Sequence, residues 1–275
     1  MIRRILVPTD FSAVSGDALL YAGELARALG LSRIDVVHIY TPQTAPEVVI
    51  IPPVEEMLRD RERALDHFLS EHKLPEGVVA EGDIQVGFAA DELVKISIDY
   101  DLLVMGTLGE NDMLDRVFGS ISSSVAQRAH CPVLLIPAGV KFRDYLNIMY
   151  ASDDLSLSRS LVLELMEFND LFNARVHFVH VNTGERNGFK GEREKLFSTL
   201  FSGPEPDFAF EISEVQAANV EEGLRAYVGQ TPIDLVVMAT RHRGFWESFF
   251  HRSQTRQMAL HPELPLLVFH WGDRQ

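Results

Sequence analysis

A stretch rich in glycine and serine contains the residues of this chain that are best suited to chemistry. Gly106 and Gly109 follow an apolar run at 101–105 that is typical of a buried strand. Gly119 and Ser120 then open a segment with helical spacing. Glycine lets a ligand approach the backbone closely, and a helix N-terminus offers unpaired N–H groups and positive potential. The pattern predicts a cradle for a phosphate chain.

Composition narrows the class of protein around this stretch. The chain has 275 residues and a formal net charge of −15, which argues against nucleic acid as a partner. Its single cysteine, Cys131, excludes an internal disulfide framework and a cysteine-based zinc cluster, and fits a reducing compartment. The N-terminus lacks the features of a signal peptide, and no apolar run approaches the ~20 residues that span a bilayer. We expect a cytoplasmic protein without membrane insertion.

The elements that must position the glycines alternate along the first half. Strands are predicted at 3–8, 34–40, 78–86, 101–105 and 132–136, and helices at 16–29, 54–72, 89–98 and 119–129. Alternation of this kind predicts an α/β fold with a parallel, doubly wound sheet. In such sheets ligands bind outside the carboxyl ends of the strands, where the winding reverses. With an assumed strand order 3-2-1-4-5, Asp10 and Gly106 leave the two strands at that point.

The second half repeats the first. Asn147–Asp153 mirrors Arg4–Asp10, and Asp234–Thr240 mirrors Asp101–Thr107. His180 mirrors His38 in the same way, near the end of the second strand of each copy. This is the pattern of a tandem duplication, with domains predicted at 1–139 and 144–275.

These residues resemble the universal stress protein family. Its nucleotide-binding pattern is glycine, two residues, glycine, nine residues, glycine and Ser or Thr, which Gly106, Gly109, Gly119 and Ser120 meet without departure. The resemblance covers both copies and implies a five-stranded, Rossmann-like, adenine nucleotide hydrolase-like domain in each. It also implies a pseudo-dimer of the two copies through their final strands, which would otherwise be exposed apolar edges.

The resemblance implies ATP, or ADP or AMP, as ligand of the first domain. Asp10 would face the adenosine with Pro8 and Thr9, and Ile39 would contact adenine. The implied binding residues are Pro8, Thr9, Asp10, Ile39, Met105, Gly106, Gly109, Gly119, Ser120, Ile121 and Ser122. The phosphates could carry Mg²⁺, but the sequence offers no dedicated metal cage. Protein partners and a homodimer are further expectations from the family.

The second copy departs from the glycine pattern. Ala239, His242 and Arg252 replace the three glycines, and only Ser253 keeps its counterpart, Ser120. Since side chains now fill places that the pattern reserves for bare backbone, we expect no family-type nucleotide binding there. The pattern favours an interaction or altered ligand role for this half.

A basic cluster accompanies that departure. It comprises Arg241, His242, Arg243, His251, Arg252 and Arg256, and the aromatic segment 244–250 lies between Arg243 and His251. One interpretation is an anionic, partly apolar ligand site or a surface for a partner. The other interpretation is a local network of arginines and carboxylates, in which the aromatics close an emptied pocket. We favour this one, because polar clusters usually form such local networks.

Other residues have simple structural interpretations. His38 and His180 are expected to be packed, hydrogen-bonded histidines, and Cys131 a buried core thiol. Asp10 has a competing role as a helix cap, while Ser122 is read as a phosphate ligand.

No catalytic set is recognisable, which favours a stress-response regulatory protein that binds nucleotide rather than an enzyme. The alternatives are a slow ATP hydrolase or transferase, with Asp10 or Asp112 orienting water, and a scaffold that binds no nucleotide.

Overall fold

The computed structural model describes residues 2–41, 54–107, 119–152, 159–184, 189–201, 208–239 and 264–269. The chain forms two compact units, Ile2–Phe142 and Arg143–Gln275. Within the described residues, no helix combines the length and the apolar character that crossing a membrane requires.

The first unit alternates strands with helices. Its strands are β1 (Ile5–Pro8), β2 (Arg33–Tyr40), β3 (Val79–Val86), β4 (Leu102–Gly106) and β5 (Val133–Ile136), and its helices are α1 (Ala13–Ala28), α2 (Val54–Glu71), α3 (Ala89–Ile96) and α4 (Ser120–Arg128). A 3₁₀ turn, Ser97–Asp99, extends α3. The strands lie in the order β3-β2-β1-β4-β5 and pair in parallel, which confirms the predicted doubly wound sheet.

The boundaries differ from the predicted ones for local reasons. β1 begins at Ile5 rather than residue 3, because the N–H groups of Arg3 and Arg4 donate to the Asp101 carboxylate at 2.8 and 3.0 Å. α1 begins at Ala13 rather than residue 16, because the Ser12 side chain caps it.

The central strands are buried on both faces, as parallel strands covered by helices must be. Every residue of β1, β4 and β5 is buried. Cys131 is 1% exposed, which confirms its prediction as a core thiol.

The last residues of the first unit pack against α1. The Gly139 N–H donates to Oδ2 of Asp17 at 2.7 Å. One turn further along the helix, Tyr21 packs edge-on against Phe142, with 5.4 Å between the ring centroids. The segment that leads into the second unit is therefore held by α1.

The second unit repeats this architecture. Its strands are β6 (Asn147–Ser152), β7 (Arg175–Asn182), β8 (Phe210–Gln216), β9 (Leu235–Ala239) and β10 (Leu266–Phe269), and its helices are α5 (Arg159–Asn169), α6 (Phe189–Leu200) and α7 (Val220–Gln230). The strand order is β8-β7-β6-β9-β10, which is again 3-2-1-4-5 within the unit. The register repeats as well: Leu6 pairs with Asp35, and Met149 pairs with His177.

Candidate functional site

The winding of the first sheet reverses between β1 and β4, which pair side by side. Pro8 ends β1 and Gly106 ends β4, so both chain segments leave the sheet at the same edge. Near this edge Ile39 and Met105 are 9% and 7% exposed. The predicted residues Pro8, Ile39, Met105 and Gly106 therefore lie at or next to the carboxyl ends of adjacent strands, where such sheets bind ligands.

Thr9 connects β1 to the turn that follows. Its N–H donates to the carbonyl of Val37 at 2.8 Å, and its Oγ1 accepts a hydrogen bond from the Phe11 N–H at 2.9 Å. Oγ1 also lies 2.9 Å from Oγ of Ser15. With 6% exposure, the Thr9 side chain is committed to the turn. The expectation that Thr9 faces the adenosine stays a prediction, and it would have to be met by atoms other than this buried hydroxyl.

Phe11 adopts a backbone conformation that is rare for a residue with a Cβ. Its φ of 66° lies in the left-handed region. The Phe11 ring stacks on His38 with 4.3 Å between centroids and meets the edge of Phe68 at 5.8 Å. Residues held in sparsely populated conformations cluster at functional sites.

Asp10 organises the start of α1. Its Oδ1 accepts hydrogen bonds from the N–H and Oγ of Ser12 at 3.1 and 2.6 Å. Ser12 in turn accepts a hydrogen bond from the Ser15 N–H at 3.2 Å as the cap of α1. The capping role that competes with ligand contact is therefore present, and it fixes the half-buried carboxylate beside the strand ends.

His38 is packed and hydrogen-bonded, as predicted. Its Nδ1 lies 2.8 Å from the carbonyl oxygen of Thr9. Because a carbonyl only accepts, Nδ1 carries the proton. Burial, together with the Arg61 charge, lowers the pKa of His38 below 6.5, although the Thr9 carbonyl and Asp10 act in the opposite direction. The lowered pKa favours the neutral form of the ring.

Gly106 occupies a place where a side chain does not fit. A Cβ there would lie 2.8 Å from Cγ1 of Val14 and 3.1 Å from the Val14 carbonyl oxygen. The first turn of α1 thus approaches the end of β4 closely, and glycine permits that approach.

The start of α4 is tied back to β4 through one carbonyl. The oxygen of Thr107 accepts hydrogen bonds from the Gly119 N–H and the Ser122 Oγ, each at 2.7 Å. The Ser122 hydroxyl, 3% exposed, also lies 3.1 Å from the Gly119 carbonyl. The donors of Gly119 and Ser122 therefore tie the start of α4 to the end of β4, and a hydrogen bond from the Ser122 hydroxyl to a phosphate would require this hydroxyl to turn away from Thr107. Gly109 lies outside the described residues.

Ser120 and Ile121 are exposed at the N-terminus of α4. Gly119, the N-cap, supplies no side-chain hydrogen bond, and the first turn contains no acidic residue. α7 is different: Asn219 caps it, and its first turn contains Glu221 and Glu222. Since a helix N-terminus favours negative charge, the first turn of α4 is suited to an anion that its own residues do not supply.

The second unit offers a different edge. Ala239 ends β9 at the position that Gly106 has in β4. Of the predicted departures from the glycine pattern, His242, Arg252 and Ser253 lie outside the described residues, as does the basic cluster around Arg241 and Arg243. Among the residues that are described, no group of three or more His, Cys, Asp or Glu side chains could hold a metal ion.

Two residues of this site were missed by sequence reasoning. Phe11 has no sequence signal for a positive φ, which arises from the Thr9 hydrogen bond and the His38 ring. Thr107 acts through its carbonyl, and a backbone group leaves no trace in the residue type.

Comparison with known proteins gives a consistent result. The family model described as Universal stress protein family matches residues 1–137. A universal stress protein of Methanocaldococcus jannaschii is 30% identical over 145 residues, covering 50% of this chain and 82% of the relative. One from Thermus aquaticus is 33% identical over 139 residues, covering 50% of this chain and 99% of the relative.

The fold has close counterparts among solved structures. The crystal structure of a universal stress protein from Archaeoglobus fulgidus covers 99% of this chain and 97% of its own, with a TM-score of 0.74 and 19% identity. A structure from Pseudomonas aeruginosa covers 98% of this chain and 93% of its own, with a TM-score of 0.56 and 14% identity. These two similarities concern the fold, and they extend over both units.

Proposed function

Because this chain belongs to the universal stress protein family, we propose that it is a stress-response regulatory protein whose first unit binds ATP or a related adenine nucleotide. The observation that carries the proposal is the N-terminus of α4. It lies after the strand that ends at Gly106, exposes Ser120 and Ile121, and has neither a side-chain cap nor an acidic first turn. A phosphate chain would supply the missing negative charge.

The neighbouring residues suit the rest of a nucleotide. Ile39 and Met105 provide apolar surface near the strand ends for the base. The Asp10 carboxylate, oriented by Ser12, would accept hydrogen bonds from ribose hydroxyls. Mg²⁺ would be bound through the phosphate oxygens of the nucleotide. Among the described residues, no group of side chains forms a metal site.

The proposed activity is binding rather than turnover. In the described part of the site, the Thr9 hydroxyl is hydrogen-bonded to the Phe11 N–H and to Ser15. The Ser122 hydroxyl donates to the Thr107 carbonyl. The imidazole of His38 is occupied at Nδ1 by the Thr9 carbonyl. Nucleotide occupancy would then govern contacts with protein partners. The protein would act in the cytoplasm as a homodimer, and its second unit would serve interaction rather than nucleotide binding.

The test separates phosphate binding from folding. Ser120→Asp places a negative charge in the first turn of α4, which stabilises a helix but repels phosphate. Calorimetric titration should show ATP binding weakened at least about tenfold, or ~1.4 kcal/mol, with no fall in melting temperature. Ser120→Asn, the neutral match, should bind nearly as the wild type does.

The wild-type protein should take up a single nucleotide per chain and prefer ATP to adenosine. Two equivalent sites would contradict the role assigned to the second unit. Equal affinity for ATP and adenosine, or unchanged binding by Ser120→Asp, would contradict the phosphate site.

A further inference from the structure

We propose that His38 is a positioning residue of this site, which holds Asp10 in its binding orientation by fixing the peptide before it and the ring after it. The inference rests on the proposed nucleotide site. It concerns a residue that would not touch the ligand and acts through the turn of residues 9–11.

The first step concerns the peptide between Thr9 and Asp10. Its carbonyl oxygen accepts a hydrogen bond from Nδ1 of His38 at 2.8 Å. The Thr9 N–H, on the preceding peptide, donates to the Val37 carbonyl at 2.8 Å. A planar peptide whose oxygen is fixed has a fixed direction at the following Cα. His38 therefore sets the direction in which the Asp10 residue leaves β1.

The second step concerns the peptide between Asp10 and Phe11. Its N–H donates to Oγ1 of Thr9 at 2.9 Å. The positive φ of Phe11 is unfavourable for a residue with a Cβ and persists only where the surroundings hold it. The His38 ring, stacked 4.3 Å from the Phe11 ring with an interplanar angle of 25°, supplies that support. Both peptides that flank Asp10 are thus fixed, one directly by His38 and the other with its help.

The third step concerns the tautomer and charge of the His38 ring. It is 9% exposed, and its Nδ1 hydrogen bond selects one tautomer. Asp10 from the turn and Arg61 from α2 are the charged groups that act on the ring. The neutral imidazole thus donates to Thr9 without competing as a cation for the Asp10 carboxylate.

The second unit provides a matched comparison. His180 pairs with Ser152 one position after the pair Val179 and Ala151, just as His38 follows Val37, the partner of Pro8. His180 is buried too, with 6% exposure. It belongs, however, to the unit in which Ala239 replaces the first glycine, so its replacement should leave ATP binding in the first unit unchanged.

The experiment compares His38→Leu, His38→Asn and His180→Leu in the full chain. The Asn amide can donate to the Thr9 carbonyl from the place of Nδ1, whereas Leu cannot. By calorimetry, His38→Leu should weaken ATP binding at least about tenfold, as loss of an orienting hydrogen bond predicts. His38→Asn, which restores the hydrogen bond but not the stacked ring, should recover part of the affinity, and His180→Leu should bind as the wild type does.

A second readout needs no nucleotide. Hydrogen exchange at the Phe11 amide should accelerate most in His38→Leu and less in His38→Asn, which keeps the hydrogen bond to Thr9 but not the stacked ring, because the Thr9 hydroxyl holds this amide only while the turn is intact. If His38→Leu does not fold, His38→Phe keeps a ring beside Phe11 but has no donor for the Thr9 carbonyl, and it should weaken ATP binding in the same direction.

The outcomes distinguish the two proposals. Absence of ATP binding by the wild type overturns the proposed function, while the exchange measurement still decides whether His38 holds the turn. Wild-type affinity in His38→Leu, or equal loss in His38→Leu and His38→Asn, overturns the positioning role. An equal loss in His180→Leu would also overturn it, since the effect would then be one of stability alone.

Discussion

Ala239 and Gly106 occupy the same register position in their units. Ala239 pairs with Phe269 as Gly106 pairs with Ile136. The ends of β4 and β9 therefore differ by one methyl group, at the position where the first turn of α1 lies against β4 in the first unit.

Gly106→Ala copies this difference into the first unit. Because the new Cβ would meet both the side chain and the carbonyl of Val14, we expect a loss of ~1–3 kcal/mol in the free energy of unfolding. ATP binding should weaken with it, because the first turn of α1 must move. Chemical denaturation and calorimetry would measure the two effects.

A matched control is Gly229→Ala in α7, where nothing lies within 4 Å of the added carbon. This change should instead stabilise the helix by about 0.5–1 kcal/mol. If Gly106→Ala also proved neutral or stabilising, the close approach of Val14 would not be the reason for glycine at this position.

Ser122 gives a test of its two interpretations. Because its hydroxyl donates to the Thr107 carbonyl, Ser122→Ala should lower the free energy of unfolding by ~1–2 kcal/mol. Ser123→Ala, in the same helix turn, should change it by less than about 0.5 kcal/mol. Should Ser122→Ala lose ATP affinity without losing stability, the phosphate-ligand role that the sequence predicts would be the correct one.

Asp35 predicts a pH-dependent stability for the first unit. Its carboxylate accepts hydrogen bonds from Arg33 at 2.7 Å and Arg4 at 3.2 Å. Partial burial raises its pKa, but these bonds and one from Tyr100 outweigh burial and lower the pKa below 3.8. Burial and the Asp35 hydrogen bond also raise the pKa of Tyr100 to about 12, so the phenol remains protonated.

A carboxylate with a lowered folded pKa stabilises the protein above its unfolded value, and that stability is lost as pH falls through the folded value. Asp35→Asn should therefore cost ~1–3 kcal/mol at pH 7 and progressively less below pH 3.8. Denaturation at several pH values would show this. Glu81→Gln, which breaks the exposed ion pair with Arg33, should cost at most ~1 kcal/mol, and an equal cost would contradict the argument.

His177 stands in the second unit where Asp35 stands in the first, and it predicts a different acid response. Tyr227 and Asn147 lie 2.9 and 3.1 Å from its two ring nitrogens. Burial and the Arg175 charge lower its pKa below 6.5, against the opposing effect of Glu211. The folded state thus binds the proton less readily, so stability is present above pH 6.5 and lost as pH falls through the folded pKa.

His177→Gln should make the fall of melting temperature between pH 7.5 and 5.5 shallower, since part of this fall comes from His177. His67→Gln, which removes a histidine side chain that is 72% exposed, should keep the wild-type slope. An unchanged slope in His177→Gln would exclude this histidine as the source.

The fold was predictable because its signal is repeated. Apolar runs such as Leu102–Met105 alternate with helical segments, and the duplication presents each element twice, so the parallel α/β fold and the buried state of Cys131 follow from the sequence, whereas the strand order was an assumption that the structure confirms. What could not be predicted is which partners the hydroxyls have in the folded chain. Thr9 and Ser122 resemble ligand residues in type and spacing. The Thr9 hydroxyl accepts a hydrogen bond from the Phe11 N–H, and the Ser122 hydroxyl donates to the Thr107 carbonyl, which lies 15 residues away and is brought near by the fold.

α1 links two places that the sequence keeps far apart. Val14 in its first turn lies against Gly106 at the end of β4, and over the next two turns Asp17 and Tyr21 contact Gly139 and Phe142. One helix therefore contacts both the edge of the candidate site and the segment that leads into the second unit, so a substitution that shifts α1 is expected to affect both places.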